Sequence, residues 1–181
     1  MKVYFDMDGV LSDLDGDLAK TAQVPLGKIL SDPQFRLGVV KQRVATTGLL
    51  HWVGLKPLHP HLWKALMRNL REEGHTLEIL TSYGSWDPLE VGPSAHLGKC
   101  QWLRQHYGDI FAEGVVTNFN GVETCDQKQF FAAPDSILID DQIDNIEQFR
   151  NAGGKGVWYC GDHHKESLKS LRAALAGGLS E

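Results

Sequence analysis

The sequence lacks the features that mark secreted and membrane-spanning proteins. Its three cysteines, Cys100, Cys125 and Cys160, are too few and too scattered for a disulfide framework, and no two of them form a Cys-x-x-Cys pair. No apolar run approaches the roughly 20 residues that a membrane-spanning helix needs. The first apolar stretch meets acidic residues after a few positions, which is not typical of a secretory signal. We therefore expect a cytoplasmic protein with reduced thiols and no membrane partner.

A basic excess is also missing. The net charge of −5 counts mildly against a nucleic-acid partner, although a site built from several aspartates would itself make the total negative. With 42% hydrophobic and 23% charged residues, the composition is that of an ordinary globular protein. The length of 181 residues fits one compact domain that carries a small insertion.

Alternating apolar runs and helical patterns predict the fold class. Short β-branched or aromatic runs predict five strands that are buried on both faces, at 3–5, 77–80, 115–117, 137–139 and 156–159. Helical patterns lie at 60–73, from a cap at Ser94 to about 108, at 142–152, and around Leu168, Leu171 and Leu175. Such alternation predicts an α/β protein, a Rossmann-like three-layer sandwich with a central parallel sheet.

One stretch departs from the alternation. Pro25, Gly27, Pro33 and Gly38 interrupt the pattern that follows the first strand, and the stretch is too long for an ordinary strand–helix loop of about 2–6 residues. We predict a small, mostly helical cap at 14–57, inserted into a core domain made of 1–13 and 58–181.

Two aspartates follow the first predicted strand, one residue apart. Asp6 and Asp8 lie in the segment FDMDGVLSD at 5–13, and carboxylates at the tip of a buried strand repel each other unless a cation or a proton intervenes. Gly9 then permits a sharp turn. An ordinary Asp-Gly loop would have the same local sequence, so this motif alone leaves both interpretations open.

The strand at 137–139 presents the same electrostatic problem again. Asp140 and Asp141 follow it directly and Asp144 comes a turn later, although one of the three could cap the next helix. Ligands of an open α/β sheet bind at the carboxyl ends of its strands, so both acidic groups should meet there. Mg²⁺ takes oxygen ligands and keeps several waters, so two or three carboxyl contacts suffice. We therefore predict a Mg²⁺ site.

Hydroxyl and ammonium groups complete the predicted site. Thr81 and Ser82 end the second strand, where hydroxyls and free backbone amides suit a phosphate oxygen, but such residues also end strands as caps. Lys99 lies on the helix after that strand, and Lys128 precedes the strand at 137–139. Most lysines are solvated surface charges, but a fixed cation near several carboxylates would offset the charge that opposes binding of a phosphate dianion.

Together these segments resemble the haloacid dehalogenase (HAD) superfamily, whose members are mostly Mg²⁺-dependent phosphatases. The matching segments, in the family's order, are FDMDGVLSD at 5–13, LEILTS at 77–82, Lys128, and ILIDDQIDN at 137–145. The resemblance implies that Asp6 is the nucleophile, that Asp8 is the acid and base, and that Thr81 and Lys128 hold the phosphoryl group. It also implies that Asp6, the backbone carbonyl of Asp8 and Asp141 bind Mg²⁺, with Asp140 and Asp144 in support.

Within that superfamily the chain looks most like the 5′(3′)-deoxyribonucleotidase and phage-type group. The shared features are a short cap after the first motif, a lysine on the helix after the second, here Lys99, and an ending like LIDDQIDNIEQFRNAGGKGVWY at 138–159. The resemblance implies a nucleoside monophosphate substrate. The cap itself carries no nucleotide-specific signature, so the substrate is the open point.

Several cap residues could contact a substrate. Trp52 and Phe35, and Trp86 after the second motif, could stack on a base, although each could equally be packed in the core. Basic residues of the cap region could meet a second anionic group or be solvated; they are Arg36, Lys41, Arg43 and Lys56.

Two other functions stay open. The first is a phosphatase that acts on nucleic-acid ends or on other small phosphometabolites. The second is a non-catalytic module that binds Mg²⁺ or phosphate. Asp8 favours the enzyme, because a leaving alkoxide needs a proton, whereas a halide or a merely bound phosphate does not.

Overall fold

A parallel β-sheet forms the centre of the molecule. The computed structural model describes residues 1–83, 91–111, 119–122 and 124–177. In this part of the chain the sheet has five strands in the order β3-β2-β1-β4-β5, and every neighbouring pair is parallel. The strands are β1 (Lys2–Phe5), β2 (Thr76–Ser82), β3 (Phe119–Val122), β4 (Ser136–Asp140) and β5 (Lys155–Trp158).

Helices connect the strands. They are α1 (Leu14–Ala22), α2 (Leu26–Ser31), α3 (Pro33–Thr47), α4 (Leu50–Val53), α5 (Pro60–Glu72), α6 (Val91–Phe111), α7 (Ile143–Asn151) and α8 (His164–Leu175). Two short 3₁₀ helices lie at Cys125–Phe131 and Gly161–His163. Within the ranges described, no helix combines the length and the apolar character that crossing a membrane requires.

Side-chain alternation along the strands creates two core layers. Val3 and Phe5 of β1 point into a large cluster, which also contains buried residues of α5, α6 and α8. Tyr4 points to the other face, into a smaller cluster with Ile146 and Phe149 of α7. Because a strand residue faces the side opposite to its neighbours, both faces of the sheet are covered. The predicted α/β three-layer fold is confirmed.

The segment between β1 and α5 holds the four helices α1 to α4 and no strand. Asp13 caps α1, since its side chain accepts a hydrogen bond of 3.0 Å from the Gly16 backbone N–H. Leu18, Ile29 and Val40 of these helices are fully buried and belong to the same cluster as Val3 and Phe5. The division into a core and a cap at 14–57 stays a prediction.

Two local predictions differ from the structure, and one cannot be compared with it. The strand predicted at 115–117 lies outside the described residues. The edge strand β3 was not predicted, because Asn120 and Gly121 are typical of turns; Asn120 holds it by donating to Glu78 and to the Ile79 carbonyl. The prediction that Ser94 caps a helix is wrong, since α6 begins at Val91. Proline is tolerated in a first helical turn, so Pro93 does not prevent this start.

Glycine allows α4 to approach α6 closely. A Cβ atom at Gly98 would lie 2.7 Å from Trp52 Cβ and 2.8 Å from the Leu49 carbonyl oxygen. At Gly38, on an exposed face of α3, a Cβ atom would meet nothing within 4 Å. Position 98 therefore tolerates only glycine without a shift of α4, whereas position 38 does not need glycine.

We expect the substitution Gly98→Ala to lower the free energy of unfolding by about 1–3 kcal/mol, the usual effect of overpacking. The matched substitution Gly38→Ala should raise it by about 0.5–1 kcal/mol, because alanine has the higher helix propensity. Urea denaturation of both variants measures the difference. Equal effects at the two positions would contradict the close packing of α4 on α6.

Candidate active site

Acidic side chains from β1 and β4 meet at the carboxyl edge of the sheet. The two strands are paired so that Phe5 lies beside Ile139, and the Asp6 backbone N–H donates to the Ile139 carbonyl at 2.9 Å. This register places Asp6 next to the end of β4. One carboxylate oxygen from each of Asp6, Asp140 and Asp141 lies within 4.8 Å of the others. The convergence that the sequence predicts for these acids is therefore present.

A buried lysine stands between two of these carboxylates. Lys128 Nζ lies 2.6 Å from Asp140 Oδ2 and 3.0 Å from Asp6 Oδ2, and the residue is 1% exposed. The other oxygen of Asp140 accepts from the Gln142 backbone N–H and from Asn145 Nδ2, both at 2.9 Å. Both oxygens of Asp140 are thus bonded to the protein, so Asp140 holds Lys128 and the loop in place. Asp6 accepts from the Met7 backbone N–H and faces Lys128, and Asp141 accepts from Gln142 Nε2, so these two carboxylates make fewer contacts and keep lone pairs for a ligand.

A second buried lysine connects Asp8 to the end of β2. Lys99 Nζ donates to Asp8 Oδ2 at 2.6 Å, to Thr81 Oγ1 at 3.0 Å and to the Ser82 carbonyl at 2.5 Å. The other oxygen of Asp8 accepts from Ser12 Oγ at 2.9 Å. Lys128 therefore pairs with Asp6, whereas Lys99 pairs with Asp8.

Both groups open into one cavity of about 520 Å³. Most of the residues predicted for the site line it: Asp6, Asp8, Trp52, Thr81, Ser82, Lys128 and Asp141. Lys99 is fully buried directly behind Asp8 and Thr81.

Three predicted residues lie elsewhere or outside the description. Phe35 is packed against the core beside Lys28, whose Nζ is 5.3 Å from the ring centroid, and it does not line the cavity. Asp144 is exposed and does not line the cavity either. Trp86 lies outside the described residues.

At this edge of the sheet, the negative charge of the buried carboxylates exceeds the positive charge near them, and burial together with this excess raises the pKa values of two of them. Burial, and then the neighbouring Asp140 and Asp8, raise the pKa of Asp6 to about 6, although Lys128 opposes the shift. Burial and then the carboxylates of Asp6 and Asp140 raise the pKa of Asp141 to about 8. Three carboxylates share one ammonium group, so a further cation would be favourable here.

The donor set fits a hard divalent cation such as Mg²⁺. Asp6 and Asp141 offer carboxylate oxygens, and such oxygens are the ligands that Mg²⁺ prefers. The backbone at Gly9 has φ +81°, and a Cβ atom there would overlap the Asp141 carboxylate. Glycine thus lets Asp141 come close to the loop that follows β1. The side chain of Asp8 is directed to Lys99 and Ser12, outside the group of three acids, so any contribution of Asp8 to a cation must come from its backbone.

Asp8 differs electrostatically from Asp6. Burial alone would raise the pKa of Asp8, but the Lys99 ammonium group and the hydrogen bond from Ser12 outweigh it and lower the pKa below its usual value. For Lys128, burial alone would lower the pKa, and the carboxylates of Asp6 and Asp140 instead raise it. Asp8 is therefore ionised and Lys128 protonated in the free site.

Sequence reasoning missed several polar residues of the site, among them Asn145, Ser12 and Cys125. Asn145 is buried, lines the cavity and donates to Asp140, and Ser12 donates to Asp8. Both lie inside the quoted motifs. Asn145 directly follows Asp144 and Ser12 lies four residues after Asp8, and this closeness to predicted acids was the available signal. Cys125 lines the cavity beside Lys128 at the start of its 3₁₀ helix, and no sequence signal points to it.

Comparison with known proteins shows the fold. No family model matches the sequence, and no curated protein matches it significantly. A HAD family hydrolase from Deinococcus radiodurans R1, solved with bound phosphate and sodium, has a TM-score of 0.57 at 17% identity over 98% of this chain and 95% of that chain. A phosphoserine phosphohydrolase-like protein from Francisella tularensis subsp. tularensis SCHU S4 has a TM-score of 0.52 at 14% identity, over 99% and 100%. At these identities the likeness concerns the fold alone.

We expect the substitution Asp141→Asn to weaken Mg²⁺ binding at least about tenfold, because even groups that only support a metal ligand have effects of 10–100-fold. Titration calorimetry with MgCl₂ measures the change. The matched control is Asp144→Asn, which removes an equal charge from an exposed position outside the cavity and should bind like the unmodified protein. Equal weakening in both variants would mean that the cation responds to net charge rather than to a site.

Without divalent cations, we expect the free energy of unfolding to fall as the pH rises from about 4 to about 8. The folded protein binds protons on Asp6 and Asp141 more tightly than the unfolded chain does, so this stability is present at low pH and is lost as both groups ionise. Urea denaturation in EDTA at several pH values measures it. Asp141→Asn should flatten the curve, and an unchanged slope in that variant would contradict the raised pKa of Asp141.

Proposed function

We propose that the chain is a HAD-type phosphatase, a Mg²⁺-dependent phosphomonoester hydrolase that works through an aspartyl-phosphate on Asp6. One observation carries the proposal. Three acids that follow β1 and β4, the hydroxyls of β2 and Lys128 line a single cavity, with Lys99 directly behind it. The three acids are Asp6, Asp8 and Asp141. Neither a turn nor a helix cap accounts for so many buried charges at one place, because burying charge is costly unless it is paired or used.

Asp6 is the proposed nucleophile. Its Oδ1 accepts from the Met7 backbone N–H at 2.7 Å, and its Oδ2 faces Lys128 at 3.0 Å, so the carboxylate is held in one orientation. Attack on phosphorus forms the Asp6–phosphate bond and breaks the bond to the leaving oxygen, which divides one difficult step into two. When bound by Asp6 and Asp141, Mg²⁺ would supply the positive charge that lets a carboxylate approach a phosphate dianion.

Asp8 is the proposed proton donor and acceptor. Lys99 keeps it ionised in the free site, and Thr81 Oγ1 lies within reach of the same ammonium group. An arriving phosphoryl group at Thr81 would draw Lys99 away from Asp8, and the buried carboxyl group would then take up a proton for the leaving oxygen. In the second step, the ionised form would accept a proton from the attacking water.

The proposed substrate is a nucleoside monophosphate. The cavity volume of about 520 Å³ lies in the range of small-molecule sites. Trp52 lines the cavity, but it is 2% exposed and packs in the core with its ring near Lys99, so it supports the wall rather than offering a surface for stacking. We further propose that the segment 14–57 acts as the cap that selects the leaving group. Nucleic-acid ends are a less favoured substrate because the cap side of the cavity is lined mostly by apolar residues rather than by a basic groove.

We expect hydrolysis of a generic phosphomonoester such as phenyl phosphate, measured by phosphate release, to require Mg²⁺ and to stop in EDTA. The substitution Asp8→Asn should lower kcat by about 10²-fold or more while the protein still binds orthovanadate, because only proton transfer is lost. Asp6→Asn should abolish turnover.

Asp13→Asn is the matched control, since Asp13 lies on the same segment but caps α1 outside the cavity. It should retain activity. Near-normal turnover of the Asp8→Asn protein would remove Asp8 from its assigned function. Binding of Mg²⁺ and orthovanadate without turnover of any phosphomonoester would favour the non-catalytic module instead.

A further inference from the structure

The cap side of the cavity contains one isolated ion pair. Six of the cap residues that line the cavity are apolar: Leu14, Ile29, Leu30, Pro33, Leu37 and Trp52. Among the cap residues that line it, only Arg36 on α3 and Asp15 on α1 carry charge. A mostly apolar wall orients a ligand through its few polar groups, so this pair is where a leaving group would be recognised.

The ion pair between Arg36 and Asp15 leaves hydrogen-bonding groups of both side chains unused. Arg36 Nε donates to Asp15 Oδ1 at 2.6 Å, and the two side chains are 34% and 15% exposed. That contact uses one of the five N–H groups of the guanidinium and one carboxylate oxygen. In the ranges that the structure describes, neither side chain has a second hydrogen-bond partner. The terminal N–H groups of Arg36 and Oδ2 of Asp15 are therefore available as donors and an acceptor on two neighbouring side chains that line the cavity.

The charge of the Arg36 guanidinium interacts with that of Asp8. Burial alone would lower the pKa of Arg36, but Asp15, and then Asp8 and Asp141, raise it. The guanidinium therefore interacts electrostatically with Asp8 and Asp141, but it forms an ion pair with neither of them. Asp8 and Arg36 line the same cavity, so a group attached to the oxygen that Asp8 is proposed to protonate could reach Arg36 within it.

Resting on the proposed phosphatase function, we propose that Arg36 and Asp15 form the leaving-group subsite and bind a neutral lactam edge, a carbonyl oxygen beside an N–H group. The pair has almost no net charge, so it offers little to a second phosphate group, whereas its adjacent donor and acceptor match a lactam, as in the nucleobases uracil and hypoxanthine. Arg36 is the binding residue, and Asp15 both positions it and accepts from the ligand.

The test compares specificity ratios rather than single rates. We would measure kcat and KM for uridine 5′-monophosphate, its N3-methyl derivative, O-phosphoserine and phenyl phosphate. The proteins are the unmodified chain, Arg36→Gln, Arg36→Lys, Asp15→Asn and a control, Arg43→Gln. Arg43 also connects α3 to an aspartate of α1, with its Nε 3.9 Å from Asp17 Oδ2, but it does not line the cavity.

We expect the kcat/KM ratio of uridine 5′-monophosphate to phenyl phosphate to fall about tenfold or more in Arg36→Gln and Asp15→Asn, mostly through KM, as loss of a hydrogen bond to a charged group predicts. Arg36→Lys should not restore the ratio, because an ammonium group lacks the fork. Arg43→Gln should leave it unchanged. N3-methylation should lower kcat/KM in the unmodified protein and have little further effect in Asp15→Asn.

An equal loss for all four substrates in Arg36→Gln would overturn the inference, since Arg36 would then act on the phosphoryl group or on folding. A preference for O-phosphoserine that depends on Arg36 would contradict the lactam proposal and indicate that the subsite binds an amino-acid group. Binding of uridine 5′-monophosphate, measured by calorimetry, separates this inference from the phosphatase proposal because it needs no turnover. Arg36-dependent binding without hydrolysis would contradict only the proposed function, and binding that does not depend on Arg36 would contradict the subsite.

Discussion

The burial of several carboxylates at one edge of the sheet is the constraint on which the rest of the site depends. Asp6, Asp140 and Asp141 come from two neighbouring strands, and in the described part of the chain the ammonium group that directly contacts them is that of Lys128, which pairs with Asp6 and Asp140. That group is itself buried, so it is kept charged only by the acids that it neutralises. The remaining excess of negative charge provides a physical reason for a divalent cation, and for a phosphoryl group to bind where that cation would lie.

The two aspartates of the first motif, Asp6 and Asp8, each pair with a different lysine and have pKa values shifted in opposite directions. Lys99 lowers the pKa of Asp8, whereas burial and neighbouring acids raise the pKa of Asp6 despite Lys128. Two carboxylates one residue apart in the chain thus have different pKa values, but in the free site their order is the reverse of the one that a nucleophile and a proton donor require. A cation bound by Asp6 would lower the pKa of Asp6, and movement of Lys99 away from Asp8 would raise the pKa of Asp8. In the proposed mechanism, the buried contact between Lys99 and Thr81 would couple the proton on Asp8 to the arrival of a substrate.

Much of the core and of the acidic site could be predicted from the sequence because the signals are local. Apolar runs directly before Asp6 and Asp140 identify strands, and the rule that parallel strands present their carboxyl ends at one edge then brings the acids together. What could not be predicted depends on tertiary contacts. No local pattern indicates that Lys99 pairs with Asp8 rather than with Asp6, or that Arg36 meets Asp15 across 21 positions. Asp144 was predicted to support the cation because it comes a turn after Asp140, but its exposure depends on how α7 packs on the sheet, which the local sequence does not show.

Chemical trapping of the intermediate tests the central claim most directly. Borohydride reduces an aspartyl-phosphate to homoserine, so a turnover mixture quenched with borohydride and analysed by peptide mass spectrometry identifies the residue that carried the phosphoryl group. Homoserine should appear at position 6 only when both substrate and Mg²⁺ are present. Reduction at Asp8, Asp140 or Asp141 instead, or steady hydrolysis with no reduced aspartate at all, would contradict covalent transfer to Asp6.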